Sequence, residues 1–104
     1  MPHQYRILMM PEAADDLVRI FDHIEQDSPQ HAPAVIEGVI KAIDSLAQFP
    51  HRYKVHQSAR DPNRAVRAMP VPPHIVYYRV IEEHALIRVL TVRHGARRQP
   101  RRFP

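Results

Sequence analysis

The sequence predicts an α+β fold: an N-terminal strand, a two-helix antiparallel hairpin, and then a three-stranded antiparallel sheet. Two consecutive segments in the first half repeat apolar residues at helical spacing, and two in the second half are dense in β-branched and aromatic residues. Between the halves lies a stretch with neither pattern, closed by the turn-forming residues Asp61, Pro62 and Asn63. The 104 residues, 44% hydrophobic and 25% charged, suit one domain. We assign that domain to residues 1–98 and a basic C-terminal tail to residues 99–104.

Tyr5 to Met10 is an apolar run interrupted by Arg6 and ended by Pro11, expected as a buried strand. Pro11 suits the first turn of a helix, where its missing N–H is no loss, and Glu12, Asp15 and Asp16 lie near the positive end of the helix dipole. Ala13, Leu17, Ile20, Phe21 and Ile24 make one apolar stripe, so this helix runs to about Asp27. Ser28 and Pro29 form a cap and first turn for a second helix, whose stripe is Ala32, Val35, Ile36, Val39, Ile43 and Leu46. Pro33 would crowd the Pro29 carbonyl, so the helix is either kinked at its start or begins regularly nearer Ala32. Gly38 costs roughly 1 kcal/mol relative to alanine and reads as a point of close helix–helix approach. Pro50 ends the helix.

His51 to Asn63 is expected to be the longest loop. Arg64 to Met69 can form a strand, stopped by Pro70, Val71, Pro72 and Pro73. His74 to Ile81 and Ala85 to Arg93 read as a hairpin turning at Glu82, Glu83 and His84. The helices should pack on one face of a sheet of about four strands, burying Leu17, Ile20, Ile24, Val39, Ile43, Val76, Tyr78 and Val89. Alternation puts Val76, Tyr78, Val80, Ile87, Val89 and Thr91 under the helices. Ile75, Tyr77, Arg79, Arg88 and Leu90 fall on the opposite face, either as a binding surface or with Arg79 and Arg88 paired to the hairpin acids. The tail from Gly95, with Arg97, Arg98, Arg101 and Arg102, is expected to be flexible unless a partner orders it.

Composition removes several classes of function. Without cysteine there are no disulfides, thiolate metal sites or thiol nucleophiles. Gly38 and Gly95 are too few and too far apart for a phosphate-cradling loop. No apolar run reaches the ~18 residues of a membrane span, and the N-terminus does not resemble a signal peptide. A cytoplasmic location is expected, with no cofactor. The eight histidines are scattered, and His51 with His56 is a poor candidate metal pair.

Charge is strongly asymmetric. Residues 1–48 carry three basic and eight acidic residues, whereas residues 49–104 carry twelve basic and three acidic ones. Thirteen of the fifteen basic residues are arginine, suited to forked contacts with phosphate or carboxylate. The second half is therefore expected to meet an acidic or polyanionic partner.

Specific residues extend this reading. Ala13-Ala14-Asp15-Asp16-Leu17, Ile20, Ile24, Ser28-Pro29, Ala32, Ile43-Asp44-Ser45-Leu46 and Phe49-Pro50 resemble the opening half of the RelE/ParE toxin superfamily. His74-Ile75-Val76-Tyr77-Tyr78-Arg79-Val80 followed by Arg88-Val89-Leu90-Thr91-Val92-Arg93-His94-Gly95-Ala96-Arg97 resembles the closing hairpin of its ParE side. The resemblance spans about residues 4 to 98. It implies a RelE/ParE-like fold and a toxin of a type II toxin–antitoxin pair, of the kind associated with plasmid stabilisation, neutralised by a cognate antitoxin from a neighbouring gene. Members of the superfamily either poison DNA gyrase or cleave mRNA on the ribosome.

Cleaving RNA through its 2′-hydroxyl needs a base, an acid and cations around the charged phosphorane. If the chain is a ribonuclease, His94, Arg79 and Arg97 are the catalytic candidates, with Arg93 beside them. The ribonuclease branch usually carries Lys and Arg on its middle strands and a Tyr or His near its C-terminus. Here no Tyr follows Tyr78, no Lys follows Lys54, and Ile75 stands where that branch commonly has arginine. Gyrase binding without catalysis is the leading expectation. The alternatives are a RelE-like mRNA endonuclease acting with the ribosome and a non-toxic member that only binds antitoxin. Residues expected to contact target or antitoxin are Arg67, Tyr77, Arg79, Arg88, Arg93, His94, Arg97 and Arg98.

Overall fold

A computed structural model describes residues 4–96 and 100–104. Its strands are β1 (Arg6–Met9), β2 (Val55–Gln57), β3 (Val66–Val71), β4 (His74–Ile81) and β5 (Leu86–His94), and its helices are α1 (Pro11–Asp27) and α2 (Ala32–Ser45). The expected three-stranded antiparallel unit is present as β3-β4-β5, but it is the centre of a five-stranded sheet in the order β1-β5-β4-β3-β2. β1 pairs with β5 in parallel, from Arg6 opposite Leu86 to Met9 opposite Val89. The helix hairpin lies within the crossover that a parallel pair requires. β2 joins the far edge from within the segment expected to be loop. Three residues with a register shift leave no periodic signature in a sequence.

Two further strand expectations are corrected. β1 is an edge strand rather than a buried one: Leu8 is 46% exposed, while Ile7 and Met9 pack against the core. β3 continues through Pro70 to Val71, which face Ile75 and His74. β2 reaches only Val66 and Arg67, so by Pro70 that flank is an edge and a missing N–H leaves no ladder bond unmade.

Ser28 does not cap α2 through its side chain. Its N–H closes α1 on the Ile24 carbonyl, and its own carbonyl accepts from His31 and Ala32, so regular helix starts at Ala32 with Pro33 in the first turn. Gly38 does not mark a close helix approach either. It is exposed, and a Cβ there would meet nothing within 4 Å. Gly38→Ala should therefore stabilise the protein by about 0.5–1 kcal/mol, read as a higher urea midpoint.

The main core packs Ala13, Leu17, Val39, Ile43 and Leu46 against Met69, Val76, Tyr78, Val80, Ile87, Val89 and Val92. Ile20 and Ile24 are half-buried, not buried as expected. A β-bulge alters the expected face assignment. Tyr78 opposes Val89 and Tyr77 opposes Thr91, leaving Leu90 as the additional residue. Beyond it the alternation shifts by one, so Val92 replaces Thr91 in the core under the helices.

Asp16, expected near the positive end of the α1 dipole, also bonds to β5. It is buried, and its carboxylate accepts from the Thr91 hydroxyl and, at 3.0 Å, from the Val92 N–H. β1 ends opposite Val89, leaving β5 without a strand on that flank. Asp16 takes the N–H that a longer β1 would have bonded. Among the described residues no helix is long and apolar enough to cross a membrane.

Candidate functional site

The face of the sheet turned away from the helices gathers four of the eight expected site residues, Tyr77, Arg79, Arg88 and Arg93. Val66, Tyr77 and Leu90 form a small buried cluster there, with Met10, Ala68, Ile75 and Phe103 packed around it. Arg79 on β4 stands directly opposite Arg88 on β5, a like-charge pairing that disfavours the sheet unless something offsets it. Arg79 is half-buried and donates through Nε to the Arg64 carbonyl at 3.2 Å and through Nη1 to the main-chain oxygen of Pro104 at 2.7 Å. Burial first, and then the charges of Arg64 and Arg88, lower its pKa.

The hairpin acids do not neutralise this cluster. Glu82 accepts from the Tyr5 hydroxyl at 2.8 Å and contacts His51, while Glu83 accepts from the Asn63 side chain at 3.1 Å. The ion pairs among the described residues are Arg19 with Asp16, Lys41 with Glu37 and His51 with Glu82, so Arg64, Arg79, Arg88 and Arg93 are in none of them. Arg93 donates through Nε to the Thr91 hydroxyl oxygen at 3.0 Å, and that hydroxyl donates to Asp16. A buried carboxylate on α1 thus orients an arginine near Tyr77, whose pKa its charge lowers against the larger upward push of burial.

Tyr77 and Tyr78 divide between the faces as alternation requires. Tyr78 lies in the core and donates to the Pro50 carbonyl at 2.6 Å, with burial pushing its pKa up to about 12. Tyr77 is completely buried on the outer face, and its hydroxyl has no hydrogen-bond partner among the described residues. Part of the tail supplies the cover. The Phe103 ring lies 5.2 Å from that of Tyr77 and 5.9 Å from that of His56, and Gln57 donates to the Arg101 carbonyl at 3.1 Å. The expected flexible tail is therefore seated over residues 100–104.

Two expected site residues fall on the other face. Arg67 opposes Tyr78 on the helix side and donates to the carbonyls of His51 and Tyr53, at 3.2 and 2.7 Å, fixing that loop. His94 opposes His74 with ring centroids 5.6 Å apart, and its Nδ1 accepts from the Ala96 N–H. His74 alternates with Tyr77 and Arg79, so this pair lies on the other face. Five residues separate His74 from Arg79, about 16 Å along a strand. His94 and Arg79 consequently do not converge. Arg97 and Arg98 lie outside the described residues.

His74 is buried with Nδ1 unpartnered among the described residues, and burial first, then His94, lowers its pKa below 6.5. A folded-state value below the unfolded one means its neutral form is favoured by folding. Stability from this residue is complete above about pH 6.5 and is lost as pH falls toward and through the lowered folded value. Thermal melts between pH 7.5 and 5 should show a shallower acid-side decline in His74→Leu than in the parent; equal slopes would contradict this.

Sequence reading missed Arg64, His56 and Phe103 as parts of this face: Arg64, expected to open a strand, sits in the 3-10 turn Pro62–Arg64, and His56 and Phe103 belong to no periodic pattern. It also missed the contacts of Glu82 with Tyr5 and His51, beside an open cavity of about 290 Å³ lined by Tyr5, Gln48, Phe49, Pro50, His51 and Arg52. Among the described residues no group of three or more His, Cys, Asp or Glu side chains is placed to hold a metal ion.

The fold is one found in toxin–antitoxin assemblies. The structure titled for the chromosomal ParDE TA system from P. aeruginosa matches with TM-score 0.71 and 21% identity, over 88% of this chain and 97% of the other. The toxin–antitoxin complex RelBE2 from Mycobacterium tuberculosis gives 0.58 at 23%, over 88% and 98%. The archaeal RelE–RelB complex from Pyrococcus horikoshii gives 0.64 at 16%, over 91% and 99%. At these identities the likeness establishes the fold alone. Sequence establishes the family: the family model described as ParE toxin of type II toxin-antitoxin system, parDE, matches residues 7–99. Toxin RelE2 of Caulobacter vibrioides is 32% identical over 85 residues, 82% of this chain and 89% of that toxin. The chain belongs to the ParE toxin family of the RelE/ParE superfamily, the toxins of type II toxin–antitoxin systems.

Proposed function

We propose that this toxin arrests growth in the cytoplasm by binding DNA gyrase, without catalysing a reaction, and that an antitoxin encoded by a neighbouring gene neutralises it. One observation carries the preference for binding. The candidate histidine, His94, lies with His74 on one face of the sheet, while the clustered arginines lie on the other. General acid–base catalysis needs its groups within hydrogen-bond reach of one reacting centre. Arginines with no acidic partner among the described residues, on an extended face, suit recognition of an acidic surface instead. A RelE-like action on ribosome-bound mRNA is the second reading, favoured by the identity to toxin RelE2.

Inducible expression with and without the neighbouring gene tests the proposal, followed by assays of gyrase supercoiling and mRNA integrity. We expect growth arrest that the neighbour reverses, inhibited supercoiling and intact mRNA. Cleaved mRNA with normal supercoiling overturns the gyrase assignment. Normal growth with a stable complex between the two products identifies a member that only binds antitoxin.

A further inference from the structure

The register joins two histidines that are far apart in sequence. His74 opens β4 and His94 closes β5, directly opposite each other, with ring centroids 5.6 Å apart and ring planes at 80°. His74 is 6% exposed and its Nδ1 has no partner among the described residues, whereas His94 is exposed. Both backbones are fixed. The ladder pairs the two residues, and just beyond it the Gly95 N–H donates to the Pro73 carbonyl at 2.7 Å. Burial favours the neutral imidazole at His74, the form that offers a lone pair. Edge-to-face contact between the rings leaves the buried nitrogen unsatisfied, a cost that a bound cation removes.

The spacing suits a shared ion. An imidazole nitrogen about 2.0–2.1 Å from zinc puts the ring centre about 3.2 Å from the metal, and two such rings at a tetrahedral angle stand about 5.2 Å apart. The observed 5.6 Å corresponds to an angle of roughly 120° at the metal, so small side-chain rotations suffice. We propose that His74 and His94 form a binding site for a divalent transition ion of the zinc class, with water completing its coordination. Imidazole suits zinc, nickel and copper, whereas magnesium and calcium require oxygen ligands. Among the described residues no third His, Cys, Asp or Glu completes the group, so the bound ion is exchangeable. His94 Nδ1 accepts from the Ala96 N–H at 3.1 Å, which places the proton of the neutral ring on Nε2. Coordination through Nε2 moves that proton to Nδ1, and coordination through Nδ1 uses its lone pair. Either route exchanges the exposed Ala96 bond for a metal–nitrogen bond, and water takes over the Ala96 N–H. The ion clamps the ends of β4 and β5 whichever target the toxin has.

The test uses the full chain, stripped with a chelator and dialysed. Titration calorimetry with Zn2+ should show one ion bound, and Zn2+ should raise the melting temperature by several degrees while Mg2+ does not. His94→Gln, at an exposed position and checked for folding by its melt, should bind Zn2+ at least about tenfold more weakly. In the parent, substoichiometric Ni2+ should broaden the ring signals of His74 and His94 before those of the other histidines, and saturating Zn2+ should shift the Ala96 amide signal. Zn2+ affinity unchanged in His94→Gln, Ni2+ broadening centred on other histidines, or no binding of Zn2+ tighter than about 1 mM would each overturn the site.

Discussion

Replacing Asp16 by alanine is expected to destabilise the fold by about 3 kcal/mol, lowering the melting temperature by roughly 10–20 °C. The carboxylate is buried and accepts from both the Thr91 hydroxyl and the Val92 N–H, so its removal strands two donors at the end of β5 where β1 no longer pairs. The loss should also reach the outer face, because Thr91 in turn holds Arg93. Asp16→Asn keeps one acceptor and should fall between alanine and the parent. A loss below about 0.5 kcal/mol, the level of an ordinary surface substitution, would show that Asp16 does not fix this end of the strand.

Tyr78→Ala should cost about 4 kcal/mol, since it removes a fully buried ring from the centre of the core and leaves a cavity. Tyr78→Phe keeps the packing and loses only the bond to the Pro50 carbonyl, so about 1 kcal/mol is expected. Chemical denaturation of both variants separates the two contributions. If Phe costs as much as Ala, the Pro50 tether dominates the packing.

The helices and the central strands were legible because they carry long periodic patterns in which each residue reports its own face. The stripe from Ala13 to Ile24 and the hairpin from His74 to Arg93 are of that kind. Asp16 was legible in principle, since it falls between Ala13 and Ile20 on the buried side of its stripe, but dipole favourability gave a sufficient local account of it. Edges were not legible. β1 and β2 are short, and their places depend on partners remote in sequence. The bulge at Leu90 turned the buried Thr91 away from the helix-facing core by inserting one residue, which no alternation count on β5 alone reveals.

The arginine cluster was anticipated by composition and by the alternation of Arg79 and Arg88. Its shape depended on facts that sequence does not carry: Glu82 and Glu83 bond elsewhere, and Phe103 folds back over Tyr77. His94 was a reasonable chemical candidate that the register places opposite His74, away from the arginines.

The direct test of binding over catalysis compares three purified chains in one gyrase supercoiling assay, with mRNA integrity measured on ribosomes in parallel. His94→Ala should inhibit supercoiling as the parent does, because no proton-transfer role is lost. The double variant Arg79→Gln, Arg88→Gln should inhibit roughly 30-fold less at equal concentration, through lost charge-assisted contacts, and neither the parent nor the variants should cleave mRNA. Cleavage of mRNA by the parent, abolished in a folded His94→Ala, would contradict the account.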